Sequence, residues 1–211
     1  MDALMLTNLT VNEFVKTVAS DAPAPGGGSV AAVTAAQGIA LTKMVTLLTI
    51  GKKKYAEHEA LMQEISTQAD ALTAKLMDLV NKDTEAYNDV SAVFAMPKVT
   101  DEEKAARSAA MQNSLKAAAI VPFEVMQACL EALKITEKAI GKSNTNAASD
   151  LGVAALNLGS GAMGAWLNVK INLSGIKDEA FVTEYSQKGT AVYDEACAVS
   201  MRIYEAVFEM L

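Results

Sequence analysis

The sequence predicts an all-α fold, and three observations support that prediction. Hydrophobic residues make up 51% of the 211 residues but aromatic residues only 5%. Alanine, which is frequent here, is the strongest helix former, whereas a β-sandwich would use more valine, threonine and tyrosine. No segment shows the two-residue alternation of a strand. We therefore expect one domain over residues 1–211, a bundle of about six to eight helices with two or three long ones.

Capping residues, glycine and proline set the expected helix boundaries. Thr10 and Glu13 have the spacing of a capping box, which predicts a first helix directly after Thr10. Pro122 is expected to kink or break the fourth helix, because proline removes a backbone hydrogen bond. Gly51 and Gly141 are expected to end helices. The predicted helices cover residues 11–20, 29–50, 57–95, 100–140, 149–167 and 178–211.

The second and fifth helices are rich in alanine and glycine. Glycine inside a helix costs up to about 1 kcal/mol relative to alanine, so repeated glycines imply that two helices approach closely. The seam could lie within one chain or between two copies, and we expect a homodimer. The second helix also reaches the length of a membrane span. Gln37 and Lys43 interrupt it, so we expect a buried or interface helix and no membrane partner.

Charge and cysteine content restrict the partners and the compartment. The formal net charge is −7 and the pI is near 4.8, which argues against a nucleic-acid partner, because phosphates require a basic surface. Cys129 and Cys197 lie far apart in apolar helical patterns and are expected to be free thiols of a reducing compartment. Asn8 and Asn12 interrupt any apolar leader, so the expected location is the cytoplasm.

A glycine loop precedes the second predicted helix. Two prolines hold the approach extended, and Gly26, Gly27 and Gly28 let the backbone turn without a Cβ atom. Ser29 is a good N-cap residue. Bare backbone N–H groups and the positive end of the helix dipole would let an anionic or carbonyl-bearing ligand approach. An ordinary turn followed by a helix cap explains the same residues.

The usual catalytic devices are missing, which leaves carboxylates and carboxamides. The single histidine, His58, lies in a charged stretch, and no His/Cys cluster predicts a metal site. Asp83 lies late in the third helix and Asp150 at the start of the fifth. Asn168 and Asn172 are four residues apart, so one helical turn would place both amides on one face. A surface ion pair, a helix-terminal charge and turn closure are the structural alternatives for these residues.

Six ordered sequence blocks resemble one family. They cover nearly the whole chain and begin with Pro23–Ser29, Thr49–Tyr55 and Asp83–Tyr87, followed by Pro97, Arg107 and Val121–Pro122, by Gly141, Asn144 and Ser149–Leu151, and by Asn168–Leu173. The chain resembles the cyclodeaminase domain of formiminotransferase-cyclodeaminase and its stand-alone bacterial relatives, which include methenyltetrahydrofolate cyclohydrolases. Ala24 stands where this family often has threonine or serine, and no formiminotransferase half is attached.

The resemblance implies an all-α homodimer without a metal or any cofactor beyond its folate substrate, bound in a cleft near the subunit interface. Two reactions are open. A cyclohydrolase interconverts 5,10-methenyltetrahydrofolate and 10-formyltetrahydrofolate, and a formimidoyltetrahydrofolate cyclodeaminase releases ammonia to form the methenyl compound. The missing transferase half favours the cyclohydrolase. A non-enzymatic helical dimer that binds a carboxylate ligand is the alternative from another class.

The resemblance also suggests roles for individual residues. Asp150, beside loop residues at a helix start, is expected to transfer the proton, and Asp83 to anchor the pterin ring. A lysine run and Arg107 are expected to bind the glutamate tail of folate, although a solvated linker explains the lysines equally well. The full expected site comprises Asp83 and Asp150 as catalytic residues, and Gly26, Gly27, Gly28, Ser29, Lys52, Lys53, Lys54, Arg107, Asn168 and Asn172 as substrate-binding residues.

Overall fold

The computed structural model describes residues 5–211 and contains no β-strand in that range. Six α-helices, four of them longer than 25 residues, confirm the all-α prediction. They are α1 (Val11–Val18), α2 (Gly27–Leu47), α3 (Glu59–Phe94), α4 (Asp101–Ala139), α5 (Ala148–Leu173) and α6 (Glu179–Phe208). Short 3₁₀ turns cover Leu6–Asn8, Lys53–His58 and Thr145–Ala147.

The core is built around the neighbouring helices α2 and α5. Helix α3 packs against α2 and α6 against α5, and α4 packs mainly against α5 and α3 with a smaller contact to α2. The glycines of α2 and α5 permit close contact: a Cβ atom on Gly161 would lie 2.9 Å from the Ala35 Cβ atom. The small-residue seam therefore lies within one chain. It does not by itself require a second copy.

Helix α2 is the one helix of the described chain that is long and apolar enough to cross a membrane, by length and composition alone. Half of the residues in its most apolar 18-residue stretch are buried inside the bundle. Ala32, Ala35 and Ile39 are fully buried, and Thr42 bonds to Thr136 of α4 at 2.7 Å. These contacts explain its apolar composition as that of a central core helix.

Two helices are more continuous than the sequence predicts. Helix α4 runs through Pro122 without a break. A proline has no N–H, so the Ala118 carbonyl one turn earlier lacks its helical partner; instead, it accepts a hydrogen bond from Asn172 Nδ2 at 2.9 Å. Helix α5 extends past Leu167 to Leu173, because Asn168 and Asn172 donate to the carbonyls one turn back rather than ending the helix.

The predicted capping box at Thr10 is confirmed, a second capping box is found at Thr100, and the predicted cap at Ser29 is wrong. Thr10 with Glu13 and Thr100 with Glu103 form reciprocal capping boxes at the starts of α1 and α4. Ser29 is not a cap. Helix α2 begins two residues earlier than expected, because Gly27 and Gly28 adopt helical geometry and the extended Gly26 is the N-cap residue. The Ser29 hydroxyl is therefore free to bond elsewhere.

Candidate functional site

A cavity of about 300 Å³ lies at the end of the bundle where α2 begins. The loop from Pro23 to Gly28 forms one wall, and α3, α4 and α5 form the others. Asp83, Asn168 and Asn172 all line it. The structure thus brings together the glycine loop, one predicted carboxylate and both predicted carboxamides.

Asp83 is the one carboxylate among the residues that line this cavity. It is half-buried, and its Oδ2 atom accepts a hydrogen bond from Ser29 Oγ at 2.9 Å. Burial raises the pKa of the Asp83 carboxyl above its usual value, and the Ser29 hydrogen bond partly opposes that rise. A Cβ atom on Gly28 would overlap the carboxylate. Glycine at this position is what lets the start of α2 approach Asp83.

Ser29 gives Asp83 a partner in either protonation state. The hydroxyl is fully buried, and its oxygen lies 3.2 Å from the Val80 carbonyl oxygen and 3.2 Å from Thr84 Oγ1. It can donate to an ionised Asp83, or donate to Val80 and accept from a protonated Asp83. The carboxyl can therefore gain or lose a proton without leaving a buried polar group unpaired.

The two asparagines are held by their amide nitrogens. Asn172 Nδ2 donates to the Ala118 and Asn168 carbonyls, both at 2.9 Å, so its Oδ1 atom remains as an acceptor. Asn168 Nδ2 donates to the Gly164 carbonyl at 2.9 Å. A Cβ atom on Gly27 would lie 3.3 Å from that nitrogen, which places Asn168 directly against the glycine loop. These contacts set the amide orientations.

Asp150 lies far from this cavity. It is in the first turn of α5, whereas Asn168 is in the last turns of the same helix. An α-helix rises about 1.5 Å per residue, so the two positions are about 27 Å apart along the axis. The loop beside Asp150 is the Asn144–Asn146 loop, not the glycine loop. Within one chain the two predicted catalytic carboxylates are not brought together.

Lys52, Lys53 and Lys54 lie at the same far end as Asp150. All three are exposed, and they precede Tyr55, whose hydroxyl accepts a hydrogen bond from the Thr145 backbone N–H at 3.1 Å. Hydrogen bonds from Thr145 are the main cause that lowers the pKa of Tyr55 to about 8. Asn144 donates to Thr49 Oγ1 at 2.9 Å and to the Leu48 carbonyl at 3.1 Å. These contacts join the loop after α2 to the loop before α5, so the polar residues at this end are explained by their structural role.

Arg107 lies near the glycine-loop end but outside its cavity. Its Nε atom donates to the Val93 carbonyl at 3.1 Å and its Nη2 atom to the Phe94 carbonyl at 3.4 Å. It therefore satisfies the last carbonyls of α3. It also lines a second cavity with Lys98, Lys104 and Lys177.

Tyr87 lines the candidate active site but is not among the site residues expected from the sequence. It lies one helical turn after Asp83 and lines the same cavity, with 39% of its surface exposed. The signal was present in the block Asp83–Tyr87, because residues four apart share one face of a helix. Its ring offers a flat surface to a heterocyclic ligand.

Other parts of the described chain offer less chemistry. A larger cavity of about 450 Å³ lies between α1, α2 and α3, but apolar, threonine and glutamine side chains line it and none of them titrates near neutral pH. No group of three or more His, Cys, Asp and Glu side chains in residues 5–211 could hold a metal ion. The glycine-loop cavity is therefore the candidate active site.

An all-helical domain with a half-buried carboxyl and two carboxamides in one cavity is suited to a small polar ligand, and comparisons with known proteins identify the family. The formiminotransferase-cyclodeaminase model matches residues 10–191. The chain belongs to this family, as the sequence blocks predict.

Individual relatives support the same assignment. The chain is 42% identical over 203 residues to the methenyltetrahydrofolate cyclohydrolase of Methylorubrum extorquens, a match that covers 96% of this chain and 98% of that protein. It is 36% identical to the formimidoyltransferase-cyclodeaminase of Sus scrofa over 90% of this chain, but spans only 35% of that longer protein. The crystal structure of formiminotetrahydrofolate cyclodeaminase from Thermotoga maritima matches with a TM-score of 0.80 and 33% identity, covering 97% of this chain and 96% of that one.

Proposed function

We propose that this chain is a methenyltetrahydrofolate cyclohydrolase that interconverts 5,10-methenyltetrahydrofolate and 10-formyltetrahydrofolate, with Asp83 as the proton-transfer residue. The observation that carries the proposal is the half-buried Asp83 carboxyl, with its raised pKa, in a cavity lined by Asn168 and Asn172. The near full-length similarity to the Methylorubrum extorquens cyclohydrolase supports the choice of reaction. The enzyme acts as a single domain over residues 1–211 in the cytoplasm and uses no cofactor beyond the folate.

The hydrolysis needs one group that takes up a proton and returns it. Water adds to the methenyl carbon between N5 and N10, and Asp83 accepts the proton that the water loses. The tetrahedral carbon then forms a C=O bond as its bond to N5 breaks, and the protonated Asp83 delivers its proton to N5. The remaining hydroxyl proton leaves to solvent. A carboxyl with a raised pKa suits both steps near neutral pH.

The surrounding groups suit a pterin ring and a formyl oxygen. The Asn172 Oδ1 atom is left as an acceptor and can bind a ring N–H or amino group. The first backbone N–H groups of α2 have no helical partner and can donate to a developing oxygen. Tyr87 can stack on the ring. In this arrangement Asp83 takes the proton-transfer role that the sequence analysis expects of Asp150, and Asp150 has no role in the site.

A formimidoyltetrahydrofolate cyclodeaminase is the second candidate. The Thermotoga maritima structure carries that name, and the match covers 97% of this chain and 96% of that one. A chain of this length therefore occurs under the cyclodeaminase name as well, and length does not decide between the reactions. Cyclodeamination also passes through a tetrahedral carbon between two nitrogens, and Asp83 would then protonate the departing ammonia.

A homodimer remains part of the proposal and is supported by an exposed apolar stripe on α5. Its members recur at three-, four- and seven-residue steps, are 42–71% exposed, and comprise Val153, Leu156, Met163, Leu167 and Ile171. Ile171 also lines the candidate active site, so a second copy on this stripe would border the cavity. Light scattering at low micromolar concentration should show a dimer, and a folded monomer would contradict this part of the proposal.

One paired assay tests the reaction. Methenyltetrahydrofolate should lose its near-ultraviolet absorbance faster with the protein than without it, and 5-formiminotetrahydrofolate should release ammonia slowly or not at all. Faster ammonia release than methenyl hydrolysis would select the cyclodeaminase. Binding of folate without turnover of either compound would support the non-enzymatic alternative and contradict both reactions.

A further inference from the structure

Pro122 is buried in the interior of α4, and the proposed reaction gives it no role. Proline is the least favourable residue inside a helix, because its ring clashes with the preceding turn and it lacks a backbone N–H. Helix α4 nevertheless continues through Pro122 without a break, and Val121–Pro122 is one of the sequence blocks that resemble the family. The stability of α4 does not explain this residue, so its explanation lies in what it does for its neighbours.

The missing N–H of Pro122 leaves a carbonyl free at the wall of the candidate active site. In a regular helix, the N–H of residue 122 would donate to the carbonyl of Ala118, one turn earlier. Ala118 lines the glycine-loop cavity, and its carbonyl accepts a hydrogen bond from Asn172 Nδ2 at 2.9 Å. The proline in α4 therefore links that helix to an asparagine of α5 that lines the same cavity.

Two carbonyls determine which end of the Asn172 amide turns towards the cavity. The Nδ2 atom donates to the Ala118 carbonyl and to the Asn168 carbonyl, each at 2.9 Å. If the amide were turned over, Oδ1 would lie against two carbonyl oxygens, which have no hydrogen to donate. The amide therefore has one favourable orientation, in which Oδ1 is left as an acceptor for a ligand.

The Ala118 carbonyl differs from the other carbonyls that the two asparagines of the cavity contact. Asn168 Nδ2 donates to the Gly164 carbonyl and Asn172 Nδ2 to the Asn168 carbonyl, both at 2.9 Å and both one turn back in α5. Carbonyls inside a helix also accept the backbone N–H four residues later. The Ala118 carbonyl has no such competitor, because residue 122 is proline, and it is therefore fully available to the Asn172 amide.

We propose that Pro122 is a positioning residue for substrate binding: the carbonyl that it frees holds the Asn172 amide so that Oδ1 accepts a hydrogen bond from the pterin. The inference rests on the proposed function for the identity of the ligand. Pro122 does not line the cavity and acts only through Ala118 and Asn172. With an N–H at position 122, the backbone would compete for the Ala118 carbonyl, and the amide would be held by the Asn168 carbonyl alone.

The test restores the backbone N–H at position 122 in two ways. Pro122→Ala does so with a loss of side-chain volume, and Pro122→Val does so while largely keeping that volume. Val121→Ala is the matched control, because it reduces the packing of the neighbouring, partly buried position and leaves the proline in place. Asn172→Ala shows the loss expected when the acceptor is absent. For each protein, the KM and kcat for methenyltetrahydrofolate, the Kd for tetrahydrofolate and the Tm are measured.

Both Pro122 variants should bind tetrahydrofolate about five- to tenfold more weakly, the scale of one lost hydrogen bond, and Asn172→Ala should lose at least as much. KM should rise by a similar factor and kcat should stay within about twofold, because the contact is the same in ground and transition states. The Tm of both Pro122 variants should at least equal that of the wild type, because a proline is removed from a helix interior. Val121→Ala should melt earlier with an unchanged Kd. An unchanged Kd in both Pro122 variants, or a loss in Pro122→Ala that Pro122→Val lacks, would overturn the proposal.

A measurement without folate separates this proposal from the proposed reaction. The side-chain NH₂ signals of Asn172 in a ¹H–¹⁵N NMR spectrum are assigned by their loss in Asn172→Ala, and their exchange with solvent reports the hydrogen bonds of the amide. Exchange should be about tenfold faster in Pro122→Ala than in the wild type. Unchanged exchange would contradict the positioning role whatever the protein binds. If exchange is faster but the wild type does not bind tetrahydrofolate, the proposed function fails and the positioning of Asn172 by Pro122 stands.

Discussion

The two ends of the bundle carry equally distinctive sequence blocks but differ in what their polar groups do. At the glycine-loop end, Asp83 and Asn172 face a cavity, and each keeps an oxygen that no other protein group needs. At the opposite end, the polar groups of Asn144 and Thr145 bond to Thr49, Leu48 and Tyr55 and join two loops. A distinctive motif can therefore serve folding at one end and chemistry at the other. The two ends differ in whether polar atoms that face a cavity are left without a hydrogen-bond partner in the protein.

Substituting one glycine at each end contrasts the two ends, and Gly28→Ala should have the largest effect on activity. Gly28→Ala places a Cβ atom where the Asp83 carboxylate lies, so the carboxyl must rotate away from Ser29. We expect kcat to fall by about 10²-fold, the scale for a displaced catalytic group. Stability should change little, because the group that must move is the end of a side chain. Steady-state kinetics and thermal melting of the same sample measure both effects.

Gly51→Ala is the matched change at the opposite end. Nothing lies within 4 Å of an added Cβ atom there, but Gly51 has a φ of +75°. A left-handed alanine costs about 1–2 kcal/mol, so this variant should melt earlier and keep its kcat. A fully active Gly28→Ala enzyme would contradict the position assigned to the catalytic carboxyl.

The link between Asn172 and Pro122 gives the next largest effect. Asn172→Leu removes the donor to the Ala118 carbonyl and should lower the free energy of unfolding by about 1–3 kcal/mol. Pro122→Ala restores a backbone N–H that can bond to the same carbonyl. In the Pro122→Ala background, Asn172→Leu should therefore cost about 1 kcal/mol less. Urea unfolding of the four proteins measures this coupling, and strictly additive effects would show that the carbonyl is not shared.

The raised pKa of Asp83 predicts a smaller effect on stability. Burial disfavours the ionised carboxyl, so the folded state binds the Asp83 proton more tightly than the unfolded chain does. The contribution of Asp83 to the free energy of unfolding is therefore fully present below its ordinary pKa. It falls as the pH rises through the raised pKa of the folded state. Asp83→Asn should thus gain in Tm relative to wild type across that interval, and the gain should level off at higher pH. A Tm difference that does not vary with pH would contradict the raised pKa.

The sequence allowed the glycine loop, Asp83, Asn168 and Asn172 to be chosen from residue types and spacing, and the structure brings these residues together. The distance of Asp150 from the cavity follows from the predicted helix over 149–167 itself, because such a helix keeps its first turn more than 20 Å from Asn168. The continuity of α4 could not be predicted. It depends on Asn172, which is distant in sequence and supplies the hydrogen bond that Pro122 removes. Local propensities do not contain such long-range partners.

Comparing Asp83→Asn with Asp150→Asn tests directly whether Asp83 carries out the proton transfer. Both changes keep the side-chain size and remove the ability to carry a proton. The kcat for methenyltetrahydrofolate hydrolysis and the Kd for tetrahydrofolate are measured for each. Asp83→Asn should lose at least about 10² in kcat while the Kd stays within a few-fold, because proton transfer contributes about 10²–10⁴ to the rate. Asp150→Asn should keep most of its activity. An inactive Asp150→Asn enzyme beside an active Asp83→Asn enzyme would contradict the assignment of the chemistry to the glycine-loop end.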